Sequence, residues 1–266
     1  MKSIETSSLN ILAFDIETVP DVSGLRNLYH LPPVCSDEEV VSLARQRRRA
    51  ESGGEFMPIY LQKVIAIAYC FRWHNKIRVA SLGAEQDSEK QLLQKFFDIF
   101  ERYSVQLVSW NGNGFDLPVL HHRSLIHRVS APRYWEWGEQ VSEYRWNNYL
   151  NRFHFKHCDL MDLLAKYQLR ASAPLDAMAK LCGLPGKLGM EGSQVWEAYQ
   201  RGDLQAIRSY CEIDVLNTYL LFLRFQFLRG NIQENKYQSE ISLLREYLET
   251  QATSHFLTFL ENWTER

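Results

Sequence analysis

The order of its apolar segments constrains this chain more than any other feature. Short runs rich in β-branched and aromatic residues, Leu9 to Phe14, Val64 to Phe71 and Val105 to Trp110, all fall within the first 110 residues. Ile77 to Leu82 follows the second of these across a polar turn at His74 to Lys76 and reads as the return strand of a hairpin. Helical spacing takes over between and after them. Leu92, Leu93, Phe96, Phe97 and Phe100 mark a helix over Asp87 to Tyr103, Phe115 to Arg128 marks another, and the pattern is almost wholly helical from Pro174 onward. Asp203 to Arg229 is the strongest helix, with Leu204, Ile207, Cys211, Val215, Leu216, Tyr219 and Phe222 on its apolar repeat and Gly230 past its end. Strands first, with helices interleaved and following, predict an α/β fold: a mixed sheet flanked by helices, not a sandwich or a bundle. Residues 21 to 62 are weakly periodic and read as a long excursion carrying one helix; a last amphipathic segment spans roughly Gln238 to Trp263.

The chain has 266 residues, 45% of them hydrophobic, enough for a substantial core and too short for a multidomain polymerase. Residues 1–230 are expected to form the α/β domain. Residues 231–266 are expected to be a helical extension, packed on that domain or used in self-association. The five cysteines are scattered and never arranged as C-x-x-C, which excludes a disulfide framework and a structural zinc site and fits a reducing compartment. No apolar stretch approaches the ~20 residues that span a bilayer, and the first residues carry no signal pattern, so the expected location is cytoplasmic. A net charge of −2 neither favours nor excludes nucleic acid.

Three carboxylate elements stand out. Asp15 and Glu17 end the first strand two residues apart, so both leave one face about 6.6 Å apart and can share a ligand. A pattern of this kind also ends many strands in solvent. Asn111 to Pro118 opens a strand into a turn with Asp116 at a helix start, a place that capping and the helix dipole favour for Asp on their own. Tyr210 and Asp214 lie one helical turn apart, and Asp214 interrupts the flank of an apolar surface, where a buried carboxylate needs a cation or water. No His or Cys cluster competes. An all-oxygen set suits Mg2+ or Mn2+, and without such an ion the like charges would repel.

With FDIET, NGNGFD and YCEID in this order, the chain resembles the DEDD superfamily of 3′-to-5′ exonucleases. DIETVPD, GFDLPVL, GLPGKLGMEG and YCEIDVLNTYLLFLR make it most similar to stand-alone exonucleases related to the proofreading domain of family B DNA polymerases. The resemblance covers about residues 9–229 and implies an RNase H-like fold. The residue five before Asp214 is Ser209, so the third motif is that of the tyrosine subclass. What the resemblance implies is a two-metal site. Asp15, Glu17 and Asp214 would hold one ion, Asp15 would help hold a second, Asp116 would act through water, and Tyr210 would orient the attacking water. Asn111 and Phe115 match positions that contact the terminal nucleotide, although Phe115 suits core packing equally.

The expected partner is nucleic acid, single-stranded DNA or another 3′ end, with nucleoside 5′-monophosphates as products. Residues 120 to 156 carry six Lys or Arg against three Glu among many aromatic rings, a composition that suits single-stranded nucleic acid or an ordinary solvated surface over a small aromatic core. The resemblance implies that Asp159 and Asp162 give structural support and stay outside the metal site. Alternatives stay open: an RNA-directed exonuclease, because carboxylates do not report the sugar; a nucleic-acid-binding module that has lost catalysis; and a glycoside hydrolase, which would act without metal and without Tyr210.

Overall fold

The computed structural model describes residues 10–264. In chain order the elements are β1 (Asn10–Pro20), α1 (Val22–Tyr29), α2 (Asp37–Ser52), β2 (Gln62–Trp73), β3 (Lys76–Ser81), α3 (Glu89–Arg102), β4 (Val105–Ser109) and α4 (Asp116–His127). They continue with β5 (His157–Asp159), α5 (Leu160–Leu164), α6 (Leu175–Leu181), α7 (Val195–Gln200), α8 (Leu204–Leu228), α9 (Glu234–Gln251) and α10 (Ser254–Asn262). Leu9, the expected first residue of the first strand, lies outside the described residues, as do residues 1–8 and 265–266 of the two expected segments.

The strands form one sheet in the order β3-β2-β1-β4-β5. β1 is antiparallel to β2 and parallel to β4, and β5 is parallel to β4. This mixed sheet flanked by helices is the α/β, RNase H-like architecture expected from the sequence. Alternation along β1 splits the core in two. Leu12, Phe14 and Ile16 pack with Phe96, Phe97 and Phe100 of α3 and Leu117 and Leu120 of α4. Ile11 and Ala13 face the other way, into a cluster with Val215, Leu216, Tyr219 and Phe222 of α8.

Two details differ from the sequence pattern. The excursion between β1 and β2 holds two helices, because Asp21 accepts from the Gly24 N–H and starts α1 within a segment too short and too polar to show periodicity. Ser36 and Glu39 form a capping box that starts α2. The final amphipathic segment is two helices, broken at Ala252, whose φ of 50° is left-handed.

Helix α9 is fixed to the sheet by a buried ion pair. Arg72 of β2 grips Glu240 through Nε (2.6 Å) and Nη2 (2.8 Å), both side chains being 8% exposed. The Tyr219 hydroxyl adds a bond to the same carboxylate. Removing one partner of such a pair strands a buried charge, whereas replacing both with apolar residues does not. Glu240→Ala is therefore expected to lower the unfolding free energy by about 3–5 kcal/mol, and Arg72→Met with Glu240→Leu by much less, as read from urea denaturation.

Candidate metal centre

Pleating carries Asp15 and Glu17 onto the α8 face of β1, continuing the row begun by Ile11 and Ala13. Their cross-strand partners on β2 are Ala68 and Ala66, whose small side chains leave room for two carboxylates. The β1–β2 register shifts just after Glu17, between Glu17 and Thr18. Over this row lies α8, which brings Tyr210, Cys211 and Asp214 down on the strand. Ligand atoms of Asp15, Glu17 and Cys211 lie within 4.8 Å of one another.

Asp116 reaches the same place from the opposite edge of β1. β4 pairs with β1 only as far as Ala13, so the edge beyond it is open, and the Ile16 N–H donates to Asp116 Oδ1 at 3.2 Å. The loop leading to Asp116 is shaped by Asp159, whose carboxylate accepts from the N–H groups of Asn111 (3.0 Å), Asn113 (2.8 Å) and Asp162 (3.2 Å). Asn111 sits at a left-handed φ of 65°. Gly112 is required by close approach, since a Cβ there would collide with the Ser109 side chain, itself bonded to His157 Nε2 at 2.8 Å.

Asp15, Glu17, Asn111, Phe115, Asp116, Tyr210 and Asp214 all line one cavity of about 640 Å³. Asp159 and Asp162 do not; Asp159 shapes the loop, and Asp162 is engaged by Arg152 (2.8 Å) and Asn113 (2.9 Å). In the 120–156 stretch, Tyr134, Tyr144 and Tyr149 belong to the core, while Trp135, Trp137 and Trp146 are exposed. Two further residues reach the centre. The Cys211 thiol donates to the Asp15 carbonyl (3.4 Å) and Oδ2 (3.5 Å); the sequence shows it only as one apolar position of a helical repeat. Lys187 lines the cavity with its ammonium 5.4 Å from the centre of the Tyr210 ring. Its loop is held by Asn217 of α8, which bonds both the N–H (3.1 Å) and the carbonyl (2.9 Å) of Gly186.

The electrostatics are those of crowded acids. Burial, followed by the charges of Asp116, Asp214 and Glu17, holds the Asp15 carboxyl well above its usual range. Glu17 is raised in the same way by burial and Asp214, with Lys187 opposing. Burial lifts Asp116 to about 7 and Asp214 to about 6, the latter against Lys187 and the Tyr210 hydrogen bond. Tyr210 is pushed up by burial and by Asp214, Glu17 and Asp15, so its phenol stays protonated. Burial also raises the Cys211 thiol, leaving oxygen atoms as the donors. Asp214 Oδ1 is buried with no hydrogen-bond partner among the described residues. An orphaned carboxylate oxygen among acids that repel one another fits a hard divalent cation.

The family described as predicted 3′-5′ exonucleases related to the exonuclease domain of PolB matches residues 54–263, and the chain belongs to it. Membership supports exonuclease activity, and with it a nucleic-acid substrate. No curated protein matches the chain. The matched span holds Asn111, Phe115, Asp116, Tyr210 and Asp214 and runs through α9 and α10; Asp15 and Glu17 precede it and join these residues through the geometry of β1. No helix among the described residues is long and apolar enough to cross a membrane.

The raised carboxyls set a pH dependence. Folded Asp116 and Asp214 keep protons that unfolded carboxylates lose near pH ~4, so their contribution to stability is full below that value and is lost as pH rises towards 7. In EDTA, the wild type is expected to lose thermal stability between pH 5 and 8 relative to an Asp116→Asn/Asp214→Asn variant, and Mg2+ should restore more of it at pH 8 than at pH 5. Parallel melting curves for the two proteins would contradict this.

Proposed function

We propose that this exonuclease hydrolyses the terminal phosphodiester at the 3′ end of single-stranded DNA, with two Mg2+ or Mn2+ ions, and releases nucleoside 5′-monophosphates. The observation that carries the reading is the convergence of four carboxylates and Tyr210, from β1, α4 and α8, in one open cavity. Kinship with the exonuclease domain of PolB supports DNA as the substrate.

In this reading Asp15, Glu17 and Asp214 would hold one ion, Asp15 would help hold a second, and Asp116 would act through water. When bound, the ions supply charge neutralisation and stabilise both the attacking and the departing oxygen of an in-line displacement. The phenol of Tyr210 cannot serve as a base while it stays protonated. One helical turn from Asp214, it orients a water towards the terminal phosphorus. As the water oxygen bonds to phosphorus, the bond to the 3′ oxygen of the preceding nucleotide breaks, and that oxygen leaves with a proton as the new 3′ hydroxyl. Asn111 bonds the terminal nucleotide and Phe115 supports it. Lys187 faces Glu17 and Asp214, where its charge offsets theirs and that of the scissile phosphate. Residues 231–264 act as a packed part of the same domain.

With 5′-labelled single-stranded DNA and Mg2+, the expected result is a ladder shortening from the 3′ end, abolished by EDTA and faster than on RNA of the same sequence. Asp214→Ala should lower kcat/KM on the order of a thousandfold; an unchanged rate would refute the site. Tyr210→Phe is expected to lower kcat by about a hundredfold with KM little altered, and full turnover in that variant would remove Tyr210 from the mechanism.

A further inference from the structure

Phe56 is 66% exposed, although the next residue, Met57, is 3% exposed and anchored in the core beside α2. The position is fixed. Arg48 Nε donates to the Phe56 carbonyl at 3.3 Å, and Arg49 pairs with Glu55. The ring leans on Phe115, with centroids 5.7 Å apart and planes at 54°. Phe115 immediately precedes Asp116, and both phenylalanines line the cavity that holds the carboxylates. The 21–62 excursion thus meets the second motif across the mouth of the metal centre, ring against ring.

Arg45 of α2 lines the same cavity. Its neighbours Arg47 and Arg49 are paired with Glu51 and Glu55, yet half-buried Arg45 makes no ion pair among the described residues. A half-buried guanidinium without a carboxylate, beside an aromatic face left in water, is complementary to a phosphate and its base.

We propose that Phe56 and Arg45 clamp the incoming strand, the outer face of Phe56 stacking one base and Arg45 taking a phosphate. Bases stack at ~3.4 Å, so a base between two parallel rings needs about 6.8 Å. The Phe56–Phe115 pair, closer and tilted, offers no such slot, and the exposed face of Phe56 is a single platform. A base inside a duplex is already stacked and must be pulled free at an energetic cost, so the platform selects strands unpaired at their 3′ end. The inference rests on the exonuclease reading and adds to it two residues outside the three motifs that would hold the unpaired strand.

The test is the affinity of the full chain for a fluorescein-labelled oligodeoxythymidylate, followed by anisotropy in EDTA. Phe56→Ala should weaken binding about tenfold with an unchanged thermal midpoint, and Phe56→Trp should keep it. Arg45→Gln should weaken binding and lower the slope of log affinity against log salt by about one. Equal affinities for wild type and Phe56→Ala would overturn the clamp, as would an equal loss on Tyr60→Ala, an exposed aromatic of the same segment that does not line the cavity. A wild type that binds the oligonucleotide but does not cleave it in Mg2+ would refute the exonuclease reading and leave the clamp standing; one that does not bind would overturn both.

Discussion

Like charges brought out of water repel, and four carboxylates in one cavity are stable only if the chain around them is held firmly enough to keep them there. Each is placed by a different constraint. The pleat of β1 sets Asp15 and Glu17, an unpaired strand edge receives Asp116, and the packing of α8 over Ala13 and Ala68 brings in Asp214. None of these constraints is ionic at the site itself. Apolar packing elsewhere supplies the force, and the unfavourable electrostatics become a standing affinity for cations.

Apolar packing is braced at one point by a buried cation whose partners are satisfied. Arg123 of α4, 3% exposed, bonds Glu89 through Nε (2.7 Å) and Nη2 (2.6 Å) and Asp21 through Nη1 (2.5 Å). Glu89 also accepts from the Val64 N–H at 2.7 Å, and Asp21 follows directly on β1. One guanidinium therefore ties α4, whose first residue is Asp116, to α3, β2 and the end of β1. Bidentate geometry of this kind fixes direction as well as distance. The rotation of α4, and with it the approach of Asp116 to Ile16, is set two turns away from the chemistry.

What the sequence made legible is what depends on short range. An i, i+2 pair on a strand and an i, i+4 pair on a helix have geometries that local periodicity dictates, so Asp15 with Glu17 and Tyr210 with Asp214 could each be placed on one face before any fold was known. The strand and helix order gave the mixed sheet for the same reason. Contacts made across the chain left no local pattern. Cys211 reads as core until β1 is seen beneath it, and Phe56 reads as a loop aromatic until Phe115 is found 5.7 Å away. The family resemblance alone assigns Asp159 to structural support, because local pattern does not tell an acid that binds an ion from one that serves the backbone. Its three N–H donors give that assignment a physical basis.

Glu212 shows how far the site extends along the chain. It stands inside the third motif, between Cys211 and Asp214, and faces away from the carboxylates. Ser81 of β3 donates to its Oε1 at 2.7 Å, and His255 of α10 meets its Oε2 at 2.8 Å. Arg208, one turn earlier on α8, donates to the carbonyls of Ser81, Leu82 and Gly83. The helix that carries Tyr210 and Asp214 is thus pinned on its outer side by the end of β3 and by the last helix of the chain. Ile241, Leu244, Leu248, Phe256 and Phe259 share one apolar cluster with Val215 and Tyr219. Removing residues after 230 would uncover that cluster and free Glu212, so α8 would lose the contacts that fix its rotation about its own axis. A turn of α8 by one residue, about 100°, would carry Asp214 out of the cavity, which makes the C-terminal helices part of what holds the carboxylate cluster together.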